Sequence, residues 1–101
     1  MTNTYAGQPV NVGNYKNFSA ITTGTLVSLN NGVLYSLTLN NPVSTSVITL
    51  YDGTSTAGTV IATITVNAST QPSTLFYNTQ FTNGLFVVAA TAASNFTISY
   101  K

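Results

Sequence analysis

The chain has 101 residues, of which 44% are apolar and 11% aromatic, and its charged side chains are Lys16, Asp52 and Lys101. Its length allows one domain with a modest core, and its apolar content sets it apart from disordered chains, which pair low hydrophobicity with high net charge. Without cysteine neither a disulfide nor a thiolate metal site can staple it, and a net charge of +1 is too small to hold nucleic acid or anionic lipid by counterion release.

The opening stretch, MTNTYAGQPVNVGNYKN, is rich in Asn, Gly and Thr, with Tyr5, Val10, Val12 and Tyr15 scattered along it. It has neither the basic n-region nor the apolar h-region of a secretory signal, so none is expected. Gly7, Pro9 and Gly13 discourage regular structure, and the segment has too few apolar groups for a core of its own. Residues 1–17 are therefore expected to form an extended arm with weak strand character, ordered by contact with a partner.

From Ser19 onward short β-type runs alternate with turn chemistry. The runs are 25–30, 33–39, 46–51, 59–66, 74–81, 85–91 and 95–100, with a further piece near 18–22. Between them stand Asn30-Asn31-Gly32, Asn40-Asn41-Pro42, Asp52-Gly53 with Ala57-Gly58, Gln71-Pro72-Ser73 and Asn83-Gly84, residues that accept positive φ or preset a turn. Short runs at this spacing predict an all-β fold, an antiparallel β-sandwich of jelly-roll or Greek-key type with about seven or eight strands over residues 18–101. No window keeps a helical period beyond a turn or two, and no apolar run approaches the ~20 residues of a membrane span.

Alternation assigns the faces. Val33, Tyr35, Leu37 and Leu39 are expected on one face, as are Phe96, Ile98 and Tyr100. Leu75, Tyr77 and Phe81 should point inward with Val60, Ala62 and Ile64. Runs 46–51 and 85–91 are apolar at both parities, which fits strands that are central in a sheet or covered by a neighbouring subunit.

Candidate chemistry is sparse. Acid–base catalysis draws on His or a tuned carboxylate pair, and this chain has no His, no second acid and no Cys. No catalytic residue and no cofactor site is assigned. A calcium site gathers several carboxylates, so Asp52 in VITLYDGTSTAGTVIATI is assigned to a turn, accepting bonds from backbone N–H groups, and no metal site is assigned. The sequons at Asn17, Asn67 and Asn95 are the harvest of an Asn-, Ser- and Thr-rich chain and carry no signal. Tyr5, Tyr15, Phe18, Tyr51, Phe76 and Phe86 fall outside the clear core pattern, and exposed aromatics serve protein interfaces or stack on sugars. The candidate partner interface is Tyr5, Val10, Val12, Tyr15, Tyr51 and Phe86.

Over residues 19–101 the chain resembles small structural proteins of tailed bacteriophages. The likeness lies in Tyr51-Asp52-Gly53, the Ser/Thr/Ala/Gly loop after it, Ile61-Ala62-Thr63-Ile64, Phe81-Thr82-Asn83-Gly84-Leu85 and the closing Tyr100-Lys101. It implies a β-sandwich with Asp52 as a turn residue and a non-enzymatic role. It further implies a capsid decoration (cement) protein on the outer surface of a phage head, bound to the major capsid protein and forming a homo-oligomer, a trimer by analogy. The alternative expectation is a receptor- or carbohydrate-binding module of a fibre or cell-surface protein. Neither nucleic acid nor membrane is an expected partner.

Overall fold

The computed structural model describes residues 13–101. They form eight strands: β1 (Asn14–Phe18), β2 (Thr22–Ser28), β3 (Gly32–Asn41), β4 (Val47–Asp52), β5 (Thr59–Thr65), β6 (Ser73–Phe81), β7 (Leu85–Ala90) and β8 (Asn95–Tyr100). No helix occurs among the described residues. The strands make two four-stranded sheets, ordered β1-β8-β3-β6 and β2-β7-β4-β5, and every pairing is antiparallel.

The pairing follows one rule. First pairs with last, β1 with β8, then β2 with β7, β3 with β6 and β4 with β5, as in one long antiparallel ribbon folded at the β4–β5 loop. Rolling that ribbon adds two further contacts, β3 with β8 and β4 with β7, which close the two sheets. This is the jelly-roll topology of an antiparallel sandwich. The strands that are apolar at both parities, β4 and β7, occupy the centre of their sheet.

The core lies between the sheets. Ile48, Leu50, Leu85, Val87 and Ala89 face it from one side, and Leu34, Leu37, Leu39, Phe81, Phe96 and Ile98 from the other. Each large side chain removed from water in this way stabilises the fold by roughly 1.5–3 kcal/mol. Phe18, which the sequence left outside the clear core, is buried and stacks on Phe96 with ring centroids 4.8 Å apart. Its strand is the first among the described residues: Asn14–Asn17, expected in the arm, pair with β8. Residues 1–12, with the rest of the expected arm, lie outside the described residues.

Bulges correct two of the expected faces. Leu34 pairs with Tyr100 and Ser36 with Ser99, so β3 carries one residue more than β8 at Tyr35. The extra residue switches parity. Leu37 and Leu39 point inward as expected, but Leu34 rather than Val33 or Tyr35 completes their face. The strand beyond accommodates the step with an extra residue of its own, beside Asn78 at a φ of 48°, a left-handed conformation that Asn tolerates. In β5, Ala62 and Ile64 pack against the core, but a register shift at Ile61 turns Val60 outward, where it is 52% exposed.

Hydrogen bonds fasten both ends of the sandwich. At one end the buried Ser46 Oγ donates to the Ala92 carbonyl (2.6 Å) and shares a 2.7 Å bond with Ser94 Oγ, which accepts from the Val43 N–H at 2.8 Å. At the other end the β4–β5 loop meets the β6–β7 turn, where Gly53 N–H donates to the Gly84 carbonyl. Gly84 has a φ of +130°, and a Cβ there would stand 2.8 Å from the Gly53 carbonyl and 2.9 Å from that of Ser28. Only glycine fits without strain.

Candidate interaction surfaces

The described residues enclose no cavity and bring together no cluster of metal-ligating side chains. What they offer is surface, and the outward faces of the two sheets differ.

On the β2-β7-β4-β5 sheet, Leu26 pairs with Phe86, Phe86 with Tyr51, and Tyr51 with Val60. Residues opposite one another in antiparallel strands project to the same side, so these four side chains form one row across all four strands. Leu26 is 41% exposed and Val60 52%. The rings of Tyr51 and Phe86 meet at 6.3 Å, tilted by 60°. The Phe86 ring also covers Gly24, whose missing side chain makes the room for it. Val88 and Val47 extend the apolar surface, with Thr49, Thr63 and Thr65 beside them.

The β1-β8-β3-β6 sheet presents hydroxyls and amides. Tyr15, Ser99, Ser36 and Phe76 share one row by register, and Asn17, Thr97, Thr38 and Thr74 the next. Cross-strand bonds tie the second row: Asn17 Nδ2 donates to Thr97 Oγ1 at 2.9 Å, and the Thr38 and Thr74 hydroxyls lie 3.0 Å apart. Asn40 Nδ2 donates to Thr97 Oγ1 and to Asn95 Oδ1, at 3.0 and 2.9 Å. Tyr15 and Phe76 stand at the two edges, each 75% exposed.

Of the expected interface residues, Tyr51 and Phe86 come together on the apolar face. Tyr15 belongs to the opposite sheet, and Tyr5, Val10 and Val12 lie outside the described residues. Leu26, Val60 and Phe76 complete the surfaces. The outward direction of Leu26 depends on its pairing with Phe86, 60 residues away, and that of Val60 on the register shift at Ile61.

Asp52 accepts backbone N–H bonds, as expected, but from the β6–β7 turn and not from its own loop. Its carboxylate accepts the Asn83 N–H at 2.8 Å, the Thr82 N–H at 3.0 and 3.1 Å, and the Thr82 hydroxyl at 3.3 Å. The Asn83 N–H above all holds its pKa below the ordinary carboxylate value, against partial desolvation, with Thr82 adding to the lowering. The end of β4 is thereby tied to the turn between the two sheets.

The chain matches no protein-family model, no curated protein and no solved structure.

Proposed function

We propose that the chain is a non-enzymatic decoration protein that docks on the outer surface of a phage head, on the major capsid protein, and stabilises the shell. The observation that carries the docking is the transverse row Leu26–Phe86–Tyr51–Val60. An outward sheet face in a free-standing sandwich alternates to polar residues, and this one keeps two aromatics and two aliphatic side chains in one row across the strands. Tyr and Phe are enriched at the core of protein interfaces, where charged residues are depleted. The sheet would bring no charge of its own to desolvate, since Asp52 is held at the end of the sandwich. The phage assignment itself comes from the sequence motifs.

A non-catalytic role is favoured by the side chains at hand. With no His or Cys and one carboxylate committed to a turn, the described surface lacks a general base with a partner. A protein that binds the assembled shell and not its free subunits stabilises the shell by mass action, with no chemistry required. The oligomer that fits a head lattice is small and closed, a trimer if it sits on a three-fold axis.

The test is cryo-microscopy of the parent particle together with rebinding of the purified chain to stripped heads. The expected result is density over capsomer junctions, with the β2-β7-β4-β5 sheet against the shell. Leu26→Lys/Val60→Lys should fail to rebind while keeping the sheet circular-dichroism signal of the parent. Finding the chain at a tail tip, or absent from virions, overturns the head assignment. Rebinding unaffected by the double substitution overturns the choice of face.

A further inference from the structure

We propose a second binding surface, on the opposite side of the sandwich: the outer face of the β1-β8-β3-β6 sheet is a platform for a neutral oligosaccharide, gripped between Tyr15 and Phe76.

The argument begins with two aromatic side chains that the core does not explain. Tyr15 and Phe76 are each 75% exposed, more than any other large apolar side chain among the described residues. They stand at opposite ends of one register row, Tyr15–Ser99–Ser36–Phe76, so both edge strands carry a ring and both central strands a hydroxyl. Three inter-strand steps separate the edge strands by about 14 Å, the reach of a short oligosaccharide laid across the strands. A sugar ring has an apolar C–H face that stacks on an aromatic ring and a rim of hydroxyls that both donate and accept. Rings at the ends and hydroxyls between them answer that chemistry.

The neighbouring row adds a prearranged polar floor. Asn17 Nδ2 donates to Asn95 Oδ1 and Thr97 Oγ1 at 3.0 and 2.9 Å, and Asn40 Nδ2 reaches the same two acceptors at 2.9 and 3.0 Å. These bonds fix the side chains before a ligand arrives, which reduces the ordering cost of binding.

Charge narrows the ligand class. Among the residues of the two rows and their Asn neighbours none is ionisable at neutral pH, and the nearby Lys16 ammonium lies 5.7 Å from the Phe18 ring centroid, on the alternate parity of β1. A phosphate, a sulfated or sialylated glycan or a nucleic acid would find no counter-charge among the residues of the two rows. A neutral glycan needs none. Contacts on an open face are weak singly, and many copies on one particle would raise them by avidity.

This surface is independent of the docking face, so the two readings fail separately. The intact chain is tested on an array carrying neutral, sialylated and sulfated glycans. Backbone amide shifts are then followed by NMR on titration with each neutral oligosaccharide that scores. The expected result is binding of neutral glycans, with shifts on β1, β3, β6 and β8. It should weaken at least ten-fold in Tyr15→Ala and in Phe76→Ala, survive in Phe76→Trp, and be unchanged in Leu26→Lys/Val60→Lys. Amide spectra of each variant show whether its fold is retained, and Phe76→Ala, further from the chain's start, carries the test if Tyr15→Ala loosens β1. The proposal is overturned by silence of all neutral glycans at millimolar concentration or by shifts confined to the Tyr51–Phe86 face. It is equally overturned by binding of anionic glycans alone that disappears with salt.

Discussion

The central strands of the two sheets do the same thing on the inside and opposite things on the outside. Inward, β4 and β7 contribute Ile48, Leu50, Leu85, Val87 and Ala89, as β3 and β8 contribute Leu34, Leu37, Leu39, Phe96 and Ile98. Outward, β3 and β8 turn Ser36, Thr38, Thr97 and Ser99 to the surface, whereas β4 and β7 turn Val47, Tyr51, Phe86 and Val88. The inner requirement is set by the fold. A sandwich needs two apolar inner faces and puts no condition on its outer ones beyond solubility. The outer difference is therefore not a requirement of the sandwich itself.

The largest effect should come from the shared inside. Phe96→Ala removes a fully buried ring that stacks on Phe18 and sits between β1 and β3. A loss of about 3–5 kcal/mol is expected, a large part of the stability of a domain this size. Leu50→Ala, in the other sheet, should cost about 2–5 kcal/mol. Urea unfolding followed by circular dichroism measures both. If one substitution were costly and the other silent, the sheets would not share a single core.

Gly84→Ala comes next. It asks an L-residue to hold a φ of +130° between two carbonyls, and should destabilise by roughly 1–3 kcal/mol. The turn it strains is the one that carries the chain from the polar-faced sheet to the apolar-faced one. A melting temperature within a degree of the parent would show that the turn relaxes freely.

How much of this was legible in the sequence differs between the inside and the outside. Turn residues and period-2 alternation disclosed the strands and the sandwich, and apolar residues at both parities marked β4 and β7 as central. Inner faces were readable wherever a strand ran without interruption, as in Phe96, Ile98 and Tyr100. They were misread at Tyr35 and Val60, because a bulge shifts parity by one residue and leaves no mark in composition. The outer rows were less accessible still. That Leu26, Phe86, Tyr51 and Val60 line up follows from the pairing of β2, β7, β4 and β5, which are up to 60 residues apart in the chain. Phe18 was ambiguous for a related reason, since its burial depends on β1 joining the last strand. Asp52 was legible as a turn residue, but its partners at Thr82 and Asn83 were not.

Asp52 provides the third test, as the clip between the end of β4 and the turn that follows β6. Its pKa is depressed in the folded chain, chiefly by the Asn83 N–H. A group of this kind contributes stability above its unfolded pKa and loses that contribution as pH falls through the folded value. Stability should therefore be flat between about pH 5 and pH 9, where no side chain of this composition titrates, and should fall below about pH 4. The carboxylate is partly exposed, so its charge-assisted bonds contribute about 1 kcal/mol, and Asp52→Ala should lower the melting temperature by roughly 4–8 °C. Asp52→Asn should lose most of the acid dependence. At the alkaline end burial pushes the Tyr77 phenol up, so a second decline should begin as pH rises past the ordinary tyrosine value. A steep slope near neutrality would contradict this scheme.

The smallest effects on stability should be those that trade one outer face for the other. Val60→Thr replaces a half-exposed methyl-bearing side chain with an isosteric hydroxyl, on an edge strand whose neighbours Thr63 and Thr65 are already exposed threonines. Little apolar area was buried there, so the change should lie within about 0.5 kcal/mol. Thr38→Val makes the reverse trade on the polar sheet and also breaks the 3.0 Å hydroxyl pair with Thr74. A cross-strand pair of this kind is worth about 0.2–1 kcal/mol, so Thr38→Val should be the costlier of the two despite adding an apolar group to a β-strand. Their effects on association should run the other way. Val60→Thr interrupts the Leu26–Phe86–Tyr51–Val60 row and should reduce shell binding, while Thr38→Val should leave it unchanged. Sedimentation and rebinding assays on the same samples as the unfolding curves separate the two quantities. If Val60→Thr proved the more destabilising and left association intact, the apolar row would serve the fold of the single domain rather than a partner.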